Sequence, residues 1–146
     1  MRDIDKTLAA ARLTLSDAWL LVFATATQLL VRGALVLMPL PSLRDGAAAC
    51  RPLARLLLRG LEDRIPWAIE ASGSRLGHAS SCLTRALAGE ALLHSTAAHV
   101  ELTIGVRHSA SGTLESHAWL TRDDRIVIGA PAHGYVPIAT WTRLPS

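Results

Sequence analysis

The apolar residues change period once along this chain, near residue 95, and that change limits the folds open to it. Upstream, leucine, alanine and arginine recur at helical spacing. Downstream, Val100, Leu102, Ile104 and Val106 alternate with His99, Glu101, Thr103 and Gly105. A period of about 3.6 makes an amphipathic helix, and a period of about two makes a half-buried strand. Helices followed by an antiparallel sheet give an α+β domain. At 146 residues, half of them apolar and 18% charged, the chain is long enough to bury a real core as one unit.

Ser16 or Asp17 offers an N-cap for a first helix that runs towards Arg32 and Gly33, its apolar run lasting to Met38 before Pro39 and Pro41 break it. A second helix is expected over about residues 44–62. It carries Leu53, Leu56, Leu57 and Gly60 on one face and a solvated stripe of Arg51, Arg55 and Arg59 on another. Residues 65–78, with Gly73, Ser74 and Gly77, read as a loop or irregular segment. The next helix starts at Cys82 and turns Leu83, Ala86, Leu87, Ala91 and Leu92 inward. His94 closes it, where a cation suits the helix dipole. Three strands follow, with turns at 109–112 and at Asp123-Asp124, before a tail containing Pro131, Gly134, Tyr135, Pro137 and Trp141. The chain divides into an apolar helical segment, residues 1–45, and a domain at 46–146, in one compact unit.

The net charge of +3 rests on one lysine and fourteen scattered arginines. A nucleic-acid surface would need a basic stripe interleaved with aromatics, so acidic peptides or proteins are the better-suited partners. Two cysteines make no disulfide framework, and Cys50 reads as a small buried apolar residue. Asp3 and Asp5 argue against a secretory signal, which makes a reducing cytoplasm the expected compartment. Gln28 and Arg32 interrupt the apolar stretch after Ala18, leaving an uncharged run shorter than the roughly 20 residues needed to span a bilayer. A buried helix pair is expected there, with membrane-surface contact as the alternative.

The chemistry concentrates at Cys82 and His117. Ser80 and Ser81, small and polar, lead into the helix that Cys82 begins, and His117 lies on a strand with Trp119 two residues on. Unpaired N–H groups and the partial positive charge of a helix N-terminus suit a thiolate nucleophile. A histidine can take the thiol proton and later return it to a leaving amine. Trp119 is placed to shield the pair from water, and Trp67 to line a substrate groove. His94 and His99 are wrongly spaced for one helical face, so neither a metal nor any other cofactor is expected.

These residues carry a resemblance. Cys82-Leu83-x-Arg85-Ala86-Leu87-Ala88, Leu92-Leu93, Ile104-Gly105-Val106 and His117-Ala118-Trp119 are similar to the lasso-peptide biosynthesis B2 proteins, over roughly residues 50–129. That family consists of transglutaminase-like cysteine peptidases that remove the leader from a ribosomal precursor peptide. The resemblance implies a papain/transglutaminase-like fold, Cys82 as nucleophile and His117 as general acid/base, with the Cys82 N–H contributing to an oxyanion hole. It also implies a separate B1 leader-recognition protein and a lasso cyclase as partners. Acyl transfer by the same dyad and a non-catalytic scaffold are the alternatives. The family's third residue, an aspartate about twelve positions after the histidine, falls here on Gly129. Pairing across the Asp123-Asp124 turn sets His117 opposite Ala130, and the two aspartates are turn formers at the far tip. Glu101, Glu115 and His133 are the remaining candidates, besides a backbone carbonyl or water.

Overall fold

A computed structural model describes residues 14–94 and 99–143. Among the described residues five α-helices come first: α1 (Leu15–Leu37), α2 (Leu40–Ala49), α3 (Arg51–Leu57), α4 (Ile65–Leu76) and α5 (Cys82–Leu93). Four strands follow: β1 (Val100–His108), β2 (Leu114–Arg122), β3 (Arg125–Ile128) and β4 (Val136–Arg143). They form one antiparallel sheet in the order β3-β2-β1-β4, so the fold is α+β. The tail beyond Gly129 supplies the fourth strand, against the expectation of three, because Trp141 pairs with Leu102 on the core side of β1.

α5 is the central element. Ala86, Leu87, Ala88, Leu92 and Leu93 are buried along it, against Leu20 and Ala24 of α1, Ile65, Ala68 and Ile69 of α4, and Leu102, Leu120 and Ile128 of the sheet. Gly89 lets the sheet approach closely: a Cβ there would run into the side chains of Ile128 and Leu120.

The N-cap of this first helix lies two residues before Ser16. Thr14 caps it and Asp17 reaches back to the Thr14 N–H, a reciprocal pair that satisfies two helix-end donors. α1 is long and apolar enough to cross a membrane by length and composition. Only one stripe of it is buried: Asp17, Leu20, Ala24, Gln28 and Val31. Leu15, Trp19, Val22, Leu29, Leu30, Val36 and Leu37 remain exposed, which corrects the expectation of a buried helix pair. The polar members of the stripe are matched inside. Asp17 pairs with Arg64, and its carboxyl is held below the usual range first by the Thr14 backbone bond, against the opposing effect of burial. Gln28 reaches α4 and the chain before α5.

The expected single helix over 44–62 is two, divided at Cys50, with Pro52 in the first turn of α3. A proline is tolerated there because its missing N–H would have no helical partner. α3 buries Ala54, and Leu58 just past its end, leaving Leu53 and Leu56 exposed, so its inward face is not the leucine face read from the sequence. Cys50 is exposed, not buried. Residues 65–76, expected as a loop, form α4. Pro66 lies in its first turn, and Gly73, read as a loop signal, is a packing site where a Cβ would lie 2.5 Å from Nε of Arg85.

At the C-terminal end of α5, Glu90 is buried between Arg44 and Arg143. Arg51 donates to the carbonyl of His94 at 3.0 Å and supplies the cation for the helix end. His94 does not serve as that cation. Burial first, then Arg51 and Arg143, push its imidazole below its ordinary range.

Candidate active site

Cys82 is the first residue of α5. Ser81 caps the helix, its hydroxyl accepting from the Thr84 N–H at 3.2 Å. The Cys82 N–H has no partner within the helix, as holds for the first residues of any α-helix. Cys82 is half-buried against the core and is a free thiol.

The segment ahead of it is fixed from α1. Ser80 is buried and donates to Oε1 of Gln28, whose Nε2 donates to Ile69 O at 3.1 Å and to Ser72 Oγ at 2.7 Å. Arg32 donates to the carbonyl of His78 at 3.1 Å. The two polar residues that interrupt the apolar run of α1 therefore hold the chain that delivers the cysteine.

His117 lies on β2 at the position paired with Gly105 of β1. Side chains alternate along the strand. Leu120 faces α5, whereas Trp119 lies over Gly105 on the opposite face, which His117 shares. The imidazole stacks on Trp119, with centroids 6.3 Å apart, and meets Tyr135 at 5.4 Å. Tyr135 is itself covered by the Arg107 guanidinium, 4.6 Å from the ring centroid. Sequence reasoning assigned Tyr135 no role at the histidine.

The ring's polar partner is Gly129. Nε2 of His117 lies 2.8 Å from the Gly129 carbonyl oxygen. A carbonyl only accepts, so Nε2 carries the proton and Nδ1 of the neutral ring is left as the base. The expected register, His117 opposite Ala130, does not hold. Thr121 pairs with Ile126, but Leu120 pairs with Ile128, so β3 bulges at Val127 and Gly129 is drawn towards the histidine.

Gly129 has φ +68°, and a Cβ on it would stand 2.8 Å from Ala118 O and 3.7 Å from His117 Nε2. The position thus borders the imidazole, but this backbone has no room for a side chain. Its N–H donates to Oε1 of Glu70 at 2.8 Å, and Oε2 of Glu70 accepts from Arg85 at 3.2 Å. Arg85, on the first turn of α5, also donates to Ser80 Oγ at 3.2 Å. Glu70 went unnoticed in the sequence because residues 65–78 read as a loop. Seen as a helix, α4 sets Glu70 beside Gly73, where Arg85 packs.

Of the other candidates, Glu101 accepts from Thr142 and Glu115 pairs with Arg107 at 2.8 Å, while the backbone carbonyl of His133 accepts from Arg107. Asp123 and Asp124 have φ of 47° and 64° in the β2–β3 turn, and Asp123 bonds to the His99 backbone. Trp67 sits on α4 beneath the Arg64 guanidinium, 4.7 Å away, and not in a loop. Among the described residues no hydrogen bond joins Cys82 Sγ to the His117 ring, and no cluster of metal-ligating side chains occurs. Arg85, Glu70 and Gly129 link the helix that carries Cys82 to the His117 ring.

A family model described as the transglutaminase-like superfamily matches residues 18–140, from within α1 into β4. No curated protein and no solved structure matches the chain.

Proposed function

The chain belongs to the transglutaminase-like superfamily, and from that premise we propose that it is a cysteine peptidase that removes the leader from a lasso-peptide precursor. Members of this superfamily are usually cysteine-dependent enzymes and include peptidases and acyltransferases. The observation that carries the reading is the 2.8 Å contact of His117 Nε2 with the Gly129 carbonyl, which can only accept and so leaves Nδ1 to act on a thiol.

In this mechanism His117 Nδ1 takes the Cys82 proton, and the thiolate attacks the carbonyl at the leader–core junction. The Cys82 N–H, unpaired within α5, faces the developing oxyanion. The imidazolium then protonates the departing amine, which becomes the free N-terminus of the core. Water hydrolyses the acyl-enzyme with the same histidine as base. No Sγ–imidazole hydrogen bond is present in the free protein; such catalytic bonds commonly tighten only with substrate bound. An open hollow of about 630 Å³ is lined by Arg107, Ser109, Glu115 and His133, and Arg107 also covers Tyr135, the ring that meets His117.

The partners proposed are the precursor peptide, a separate B1 protein that presents the leader and a lasso cyclase that takes the product, all in the cytoplasm. The test is to incubate precursor, B1 and this protein and to follow leader release by mass spectrometry. Cleavage that is lost in Cys82→Ala supports the proposal, and undiminished cleavage by that variant ends it. Acyl transfer would show instead as an adduct with an added primary amine. A scaffold role would leave Cys82 inert towards iodoacetamide.

A further inference from the structure

We infer that Glu70 is the positioning residue for His117, acting through the backbone of Gly129; this rests on the Cys82–His117 reading above. The argument starts from the glycine. A carboxylate borne on residue 129 would need a Cβ 2.8 Å from Ala118 O, which this backbone forbids. The acceptor for Nε2 is therefore the Gly129 carbonyl itself, at 2.8 Å. A carbonyl on a bulged strand end orients a ring only if the backbone is held. Glycine at φ +68° is the least self-restrained residue for that task.

Glu70 supplies the restraint. Its Oε1 fixes the Gly129 N–H at 2.8 Å, and its Oε2 is anchored by Arg85 at 3.2 Å. Arg85 in turn is wedged against Gly73 of α4 and bonded to Ser80. The carboxylate thus comes from α4, on the helical side, and is referenced to the same helix turn that carries Cys82. One chain of contacts couples the helix that carries the thiol to the base: Cys82 helix, Arg85, Glu70, Gly129, His117. Glu70 touches neither thiol nor substrate. Its work is to set which ring nitrogen is protonated and where the other one points.

The experiment compares Glu70→Ala with Glu70→Gln in the full chain, using leader release together with ¹⁵N spectra of the histidine rings. The His117 signals are identified by their absence in His117→Gln. Glu70→Ala is expected to scatter the Nε2–H pattern of His117 and to lower kcat on the order of a hundredfold, the cost of a misplacement of about 1 Å, with KM changed less than about twofold. Glu70→Gln keeps an oxygen acceptor for the Gly129 N–H and is expected to restore the ring pattern and most of kcat. An unchanged His117 pattern in Glu70→Ala overturns the inference, as does a Glu70→Gln variant as impaired as the alanine. If Glu70→Ala does not fold, Glu70→Gln against native decides by the same two readouts. If Cys82→Ala still cleaves, the peptidase reading fails while the ring spectra still judge the positioning.

Discussion

Replacing Gln28 by Met tests whether α1 is docked through its polar residue. Gln28 is fully buried and makes three hydrogen bonds: to Ile69 O, to Ser72 Oγ and from Ser80 Oγ. Methionine keeps the unbranched shape and removes only the polar end. Ser72 retains its 2.6 Å bond to Ala68 O, so its loss is small. The Ser80 hydroxyl loses its acceptor inside the core, which costs about 1–3 kcal/mol, and the bond to Ile69 adds about 1. The sum is about 2–4 kcal/mol. At roughly 4 °C per kcal/mol for a chain of this length, Tm falls by about 8–16 °C. Urea unfolding checks it, with the midpoint lowered and the slope unchanged. Leader release falls as well, since Ser80 stands two residues before Cys82. A loss under about 0.5 kcal/mol, the size of a surface substitution, refutes the reasoning.

Glu90→Leu leaves Arg44 and Arg143 facing each other in the interior and is expected to cost about 3–5 kcal/mol in urea unfolding, with Arg44→Met in the same chain recovering part of it. A loss below about 1 kcal/mol, or no recovery, counts against a buried ion pair. Gly129→Ala pushes a Cβ against Ala118 O at positive φ, so a loss of about 1–3 kcal/mol is expected together with slower cleavage; native stability and rate would contradict the site geometry. His94 is pushed below 6.5 in the folded chain, so unfolding takes up a proton that the folded state refuses. Its contribution is complete above about pH 6.5 and is lost as the pH falls from there through the folded value. Denaturation midpoints across that window should show a slope that flattens in His94→Gln, and an equal slope in both refutes it.

The change of period near residue 95 was enough to read an α+β order, since side-chain alternation is local and survives folding. Local signals failed where packing between distant segments decided the outcome. Gly73 reads as a breaker until Arg85 is seen against it. The segment after Gly129 reads as a coil because Pro131, Gly134 and Pro137 hide a strand whose partner is β1, more than thirty residues upstream. Leu53 and Leu56 obey helical spacing, yet Ala54 and Leu58 face the core, since spacing fixes a stripe but not which stripe is covered. At the site, Cys82 and His117 announce themselves by residue type and by the elements that bear them. Glu70 does not: a carboxylate in a helix is ordinary, and only the β3 bulge brings Gly129 to it.

That division separates the two services a carboxylate performs behind a catalytic histidine, which are to fix the tautomer and to stabilise the imidazolium. The Gly129 carbonyl performs the first at 2.8 Å. It contributes little to the second, because a neutral dipole holds less of the developing positive charge than a carboxylate in direct contact. Glu70 cannot make up the difference, since it meets His117 only through the Gly129 backbone and its charge is already matched by Arg85. The site is therefore well oriented and electrostatically modest. Its turnover should respond more to changes that tilt Gly129 than to changes that remove charge from residue 70. The contrast between Glu70→Ala and Glu70→Gln measures that difference, and a site relying on charge would leave both variants equally impaired.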